Sequence, residues 1–175
     1  SDFVNSMVKI YEHQGKLPVW HLRGNETNTM PGYSGIPVVI DAALKGFENI
    51  DLEKVYEAAK VSATGDFEPG VKDLMERGYI PADFMVESVA SSMEYAIGDW
   101  GVAQLAKKLG KTEDYEYFLN RSKAYKQYFD PETRFMRGKL SDGSWRTPFN
   151  PVSAEHRVND YCEGNAWQYL WLVPQ

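Results

Sequence analysis

"SVASSMEYAIGDWGVAQLAKKLG", residues 88–110, is the strongest helical signal in the chain, and its reading decides the fold. Val89, Met93, Ile97, Trp100 and Ala103 recur at spacings of three and four, and Leu105 to Leu109 continue near the same face. That period is the mark of a helix with an apolar stripe. Working outward, the neighbours read the same way. "KTEDYEYFLNRSKAYKQYF" (111–129) reads as a helix beginning with a Thr112 cap and ending at Asp130-Pro131, its Tyr and Phe series at helical spacing suiting a buried face. "DLEKVYEAAKVSA" (51–63) reads as a helix capped by Asp51. "SDFVNSMVKIYEHQG" (1–15) places Phe3, Met7, Ile10 and Tyr11 on one side and stops at Gly15. "IPVVIDAALKGFENI" (36–50) is apolar enough for a buried helix, and its Val38–Ile40 is equally a strand start.

Between these elements, residues 64–83 read as Gly- and Pro-punctuated connection, and residues 130–151 as turn-rich with a short hairpin around Asp142-Gly143. The last segment re-enters helix near Asn165. The predicted class is mainly α: helical hairpins that form either an array or part of an α/α toroid. A tetratricopeptide array repeats its signature about every 34 residues, and no such repeat is present.

Composition sets the functional bounds. A chain of 175 residues, 43% hydrophobic, suits one globular unit with a real core. The net charge of −6 argues against nucleic acid, which is held by Lys and Arg on phosphates. No apolar run approaches the ~20 residues of a membrane-spanning helix, and the opening residues do not read as a signal peptide. One cysteine, Cys162, allows no internal disulfide and no cysteine metal cluster. The three histidines are too scattered for metal-site spacing. Aromatics make up 14% of residues, which fits a core and also fits sugar subsites, where rings stack on C–H faces.

Two stretches carry candidate chemistry. In "LPVWHLRGNETNTMPGYSG" (17–35), Trp20, His21, Arg23, Asn25 and Glu26 crowd one loop, and binding groups concentrate on loops held by a scaffold. The plainer reading is a Gly24-Asn25 turn with Trp20 packed on a helix. In "DYCEGNAWQYLW" (160–171), Asp160 and Glu163 have capping-box spacing. Glu163 is equally a candidate general acid, flanked by the apolar rings of Tyr161, Trp167 and Trp171. Both uses of Glu163 are chemically feasible.

Taken together and in order, these two stretches, "VIDAALKGFENID" (39–51) and the run from Ser91 to Trp145 resemble the α-mannosidases of glycoside hydrolase family 92. The motifs "LPxWxLxGNET" and "EGNAWQY" carry the likeness. The resemblance implies an N-terminal β-sandwich followed by an (α/α)6 catalytic barrel, and removal of mannose from α-mannosides with inversion, using a bound calcium ion. It implies Glu163 as general acid, with Trp20, Asn25, Glu26 and Gln168 around the mannose. It leaves the calcium ligands unassigned and outside this segment. It further implies α-1,2-linked mannosides as substrates and a secreted or periplasmic parent.

One departure from the family pattern stands out. The family's general base is an aspartate in a later "GNDDxGxMS"-like motif, which does not occur here. Residues 1–175 therefore read as part of the catalytic barrel, without the β-sandwich or the rest of the barrel, and as inactive alone. Half a toroid exposes apolar faces, so the isolated chain is expected to repack or to form a homo-oligomer. The competing classes are a helical-repeat module binding carbohydrate or protein, for which Glu163 is only a cap, and a toroidal polysaccharide lyase, which needs a Tyr or His base.

Overall fold

A computed structural model describes residues 1–175. Its centre is helix α5 (Ser88–Lys108), against which α2 (Gly35–Leu44), α3 (Leu52–Thr64) and α6 (Thr112–Arg121) pack, with α1 (Asp2–Gln14) laid on α2 and α3. Short α4 (Val71–Arg77) follows α3, and α7 (Ala166–Tyr169) closes the described chain. The expected mainly α class is what the chain adopts, and its only sheets are two-stranded ribbons. No helix is long and apolar enough to cross a membrane.

Helix α5 is more deeply buried than an apolar stripe requires. Ser88, Ala90, Ser91, Ser92, Ala96, Gly98, Gly101 and Ala103 are buried along with Val89 and Met93, whereas Trp100 stays 40% exposed. Small side chains on several sides let neighbouring helices approach α5 from more than one direction. The region 36–44, ambiguous between helix and strand, is helical: Ile36, Val39, Ile40 and Ala43 recur every three or four residues and face the core. Asp51 caps α3 as expected, accepting from the Lys54 amide at 3.1 Å.

Two expectations change. The helix from Thr112 does not run to Phe129. It stops at Arg121 and resumes as a 3₁₀ turn over Ala124–Tyr128, with Lys111 and not Thr112 at its N-cap. The break lets Arg121 and Tyr128 reach different parts of the interior. Arg121 is buried, with its Nε donating to Asp99 Oδ2 at 2.6 Å and its Nη2 donating to Asp99 Oδ1 and to the Ala63 carbonyl at 2.8 Å. Tyr33 donates its hydroxyl to the same carboxylate. The Tyr128 hydroxyl instead meets Ser92 Oγ at 2.5 Å and the Ile80 amide at 2.7 Å. The second change is α4, an ordered helix inside the connection 64–83. It starts at Val71 after the left-handed Gly70 and buries Val71 and Leu74.

The interior divides into a main cluster between α1, α2, α3, α5 and α6, and a smaller one. The smaller cluster joins Val89 and Met93 of α5 to Tyr128, Met136, Tyr161 and Ala166. It seats the C-terminal segment on the first half of α5.

Candidate functional site

The loop 17–35 is a built structure. His21–Leu22 (β1) and Asn25–Glu26 (β2) pair antiparallel across a two-residue turn at Arg23 and Gly24, both with positive φ (55° and 77°). That is the backbone of a tight hairpin turn, in which glycine at the second position avoids a side-chain clash. The turn lies one residue before the expected Gly24-Asn25.

Glu26 organises this hairpin. Its Oε2 accepts from the Val19 amide at 2.7 Å, and its Oε1 accepts from the amides of Trp20, Thr27 and Asn28, each at 2.9 Å. Burial pushes the carboxyl up, but these amides and the Lys16 charge outweigh it, and Glu26 titrates below its ordinary value. His21 Nε2 lies 3.5 Å from Glu26 Oε2. Trp20 and Asn25 are exposed, Trp20 by 47%. Below the hairpin, Lys16 Nζ donates to Glu68 Oε1 at 2.5 Å and to Asn28 Oδ1 at 2.6 Å, tying the loop to the α3–α4 connection.

The "DYCEGNAWQYLW" segment resolves the question of the cap. Asp160 is buried and is no helix cap. Its Oδ1 accepts from Ser88 Oγ at 3.3 Å and lies 3.0 Å from Arg146 Nε as an ion pair, off the line of a hydrogen bond. Gly138 lies so close that a Cβ there would collide with the Asp160 carboxylate. The Asp160 carbonyl accepts from the Ala90 amide at 3.1 Å and the Asn159 carbonyl from the Glu87 amide at 2.8 Å, so the segment is fastened to the first turn of α5. The capping box sits five residues later. Asn165 Oδ1 accepts from the Trp167 and Gln168 amides, and Gln168 Oε1 accepts from the Asn165 amide at 3.0 Å. Glu163 is left exposed, in the left-handed region (φ 47°), and its side chain makes no hydrogen bond.

A cavity of about 290 Å³ lies between the far end of the 17–35 loop and the start of α5. Asn28 to Gly32, Glu68, Glu87, Ser91, Tyr95 and Arg157 are among its walls. Glu87 and Glu163 both act on the buried Cys162 thiol, whose pKa is pushed up to about 11 by burial first and then by these carboxylates. Glu163 itself is not among the cavity's walls. Trp20, Asn25, Glu26 and Gln168 are not among its walls; the far end of the same loop is.

Glu94, one turn beyond Ser91, is half-buried without a side-chain hydrogen bond, and burial raises its carboxyl. Glu94 lies near Asp99-Trp100 on α5, where a helix carboxylate is ordinarily solvated or paired, and nothing in the local sequence marks Glu87, which precedes the helix as its N-cap residue. No three His, Cys, Asp or Glu side chains converge to hold a metal ion.

The model of the glycosyl hydrolase family 92 catalytic domain matches residues 1–175. The chain belongs to glycoside hydrolase family 92. The family GH92 α-mannosidase BT3965 from Bacteroides thetaiotaomicron, solved in complex with mannoimidazole, superposes with a TM-score of 0.94 at 44% identity, covering 99% of this chain and 24% of that one. The family GH92 inverting mannosidase BT2199 of the same organism gives 0.89 at 28% identity, over 97% of this chain and 24% of its own. An uncharacterized secreted glycosidase of Arthroderma benhamiae is 31% identical over 76% of this chain and 19% of its own length. The chain thus spans about a quarter or less of these relatives, and its helical hairpins are part of the family's (α/α)6 toroid.

Proposed function

We propose that the protein carrying this GH92 segment is an inverting exo-α-mannosidase that removes terminal mannose from mannose-containing glycans, with α-1,2 linkages as its expected substrates. The observation that carries this reading is the match of 99% of the chain to an α-mannosidase solved with mannoimidazole. Support comes from an exposed glutamate, Glu163, held on a left-handed turn.

In this reading Glu163 is the general acid. Its carboxylic acid gives a proton to the glycosidic oxygen as the bond from that oxygen to the anomeric carbon breaks. Water attacks the anomeric carbon from the opposite face and loses its proton to a carboxylate base, releasing mannose with inverted configuration. Inverting enzymes hold the two carboxyl groups roughly 6.5–9.5 Å apart so that this water fits. The base is supplied from outside residues 1–175, so the segment alone turns over negligibly.

Trp20 and Asn25 are the proposed sugar contacts of the hairpin, because both are exposed on it. Glu26, with four backbone amides on its two oxygens, serves them mainly by holding the hairpin in shape. Gln168 has one oxygen committed to the capping box and its amide nitrogen free for a sugar hydroxyl. The parent further comprises a β-sandwich and the remainder of the barrel, binds calcium through ligands from those regions, and is secreted or periplasmic. The secreted glycosidase among its relatives supports that location.

The test is hydrolysis of α-1,2-mannobiose by the full-length protein, followed by NMR. First-formed β-mannose and loss of activity on chelation are expected. First-formed α-mannose, or no mannose release, would overturn the reading.

A further inference from the structure

The side chain of Glu163 has no partner, so the backbone, by fixing the direction of its Cα–Cβ bond, is what limits where its carboxyl can reach. That backbone is held in an unusual way. The Tyr169 hydroxyl donates to the Cys162 carbonyl at 2.8 Å and accepts from the Cys162 amide at 3.2 Å, so one side-chain oxygen satisfies both backbone groups of the residue preceding Glu163. The Tyr169 ring lies 5.3 Å from the Tyr161 ring, centroid to centroid. It also abuts Gly164, where an added Cβ would stand 3.1 Å from a ring carbon. Tyr161 is itself fixed, its amide donating to Asn159 Oδ1 at 2.9 Å and its hydroxyl to the Met136 carbonyl. On the other side, the Asn165–Gln168 capping box fixes the start of α7, which carries Tyr169. Glu163 therefore sits between two anchored points, one of which depends on a single phenolic oxygen.

We propose that Tyr169 is a positioning residue for proton transfer: its hydroxyl clasps the 162–165 turn and holds Glu163 in the left-handed conformation that aims its carboxyl at the leaving group. The inference rests on the reading of Glu163 as general acid. A non-glycine residue with positive φ persists only where its surroundings impose it. Without the hydroxyl, the Cys162 amide and carbonyl lose their partner, and Glu163 is free to relax to negative φ, which turns its side chain away. Phenylalanine at this position keeps the ring packing and removes only the clasp.

The test uses the full-length enzyme with Tyr169→Phe, Glu163→Gln and the double variant, assayed on an α-mannobioside and on aryl α-mannosides of graded leaving-group pKa. Misplacing an acid by about 1 Å costs on the order of 10- to 100-fold. Tyr169→Phe is expected to lower kcat on the mannobioside by that amount with KM little changed. The slope of log kcat against leaving-group pKa should steepen, and the double variant should be no slower than Glu163→Gln. Asp51→Ala, which removes the distant α3 cap, controls for loss of stability and should leave the slope alone. Gly164→Ala, which keeps the hydroxyl and crowds the Tyr169 ring and the Gln168 Oε1 of the capping box together, should steepen the slope more mildly, and it carries the test if Tyr169→Phe does not fold. Equal losses on all substrates in both clasp variants, or a wild-type slope, would overturn the clasp while leaving a selective Glu163→Gln effect intact. An unselective Glu163→Gln effect would sink the acid reading and the clasp with it.

Discussion

Glu26 Oε1 accepts the backbone amide of Trp20 at 2.9 Å, so the exposed indole on the hairpin stands on a carboxylate that never leaves its own loop. Hydrogen bonds to a charged acceptor contribute about 1.5–3 kcal/mol each. Glu26→Gln keeps the shape but loses the charge and one acceptor oxygen. Weaker substrate binding is expected, seen as a several-fold rise in KM with kcat nearly unchanged. A wild-type KM would show that the hairpin holds Trp20 without the carboxylate.

The same carboxylate sets an acid limit on the hairpin. Glu26 titrates below its ordinary value in the fold, so its contribution to stability is present above the unfolded pKa of about 4.3. It is lost as pH falls through the lower, folded value. Fluorescence of a variant retaining Trp20 as its one tryptophan should therefore shift only below about pH 4. A transition well above that pH would contradict the role given to Glu26.

Asp99 and Arg121 are a buried ion pair that links α5 to α6, with Tyr33 donating to the same acid. Removing one partner strands the other charge, at a cost of about 3–5 kcal/mol. Arg121→Met should unfold the protein or lower its melting temperature strongly, while Asp99→Leu with Arg121→Met together should recover most of the loss. Calorimetry on the single and double variants measures this.

At Gly138 the Asp160 carboxylate lies against bare backbone, where a Cβ would collide with Oδ2. Gly138→Ala is expected to displace Asp160 from Ser88 and Arg146, destabilising the seat of the Glu163 turn by about 1–3 kcal/mol, as overpacking does. Activity should fall along with stability. A Gly138→Ala protein as stable as wild type would mean that the segment accommodates the methyl group by moving.

Several large apolar side chains are exposed: Phe3 by 88%, Trp171 by 79% and Val38 by 53%. Residues 1–175 expressed alone are expected to self-associate and to bind a hydrophobic dye. A clean monomer by light scattering with no dye binding would contradict a partial toroid.

The helices α1, α3 and α5 were legible because their signals are local: the Gly15 stop of α1, the Asp51 cap of α3 and the apolar spacing of α5. Helix α4 was not, since its seven residues sit between two glycines in a stretch that reads as turns. The break at Ser122 was hidden because the Tyr and Phe spacing continues across it. The cap at the final helix was the hardest case: Asp160-x-x-Glu163 and Asn165-x-x-Gln168 share one spacing. Distant residues decide between them, because Ser88, Gly138 and Arg146 bury Asp160 and take it out of the contest. The crowded loop was recognised as a candidate site, but its hairpin turn and the amide cage around Glu26 depend on backbone geometry that residue types alone do not specify.

The central claim is that Glu163 is an acid and not a cap, and substituting it with glutamine in the full-length enzyme tests that most directly. Because its side chain is exposed and unbonded, the melting temperature should stay where it is, within the ~0.5 kcal/mol typical of surface changes. Hydrolysis of the natural mannobioside should fall by about 100-fold or more, whereas a mannoside with an activated leaving group should be largely spared. Equal retention of both activities, or a lower melting temperature as the sole effect, would contradict the account and place the proton donor elsewhere.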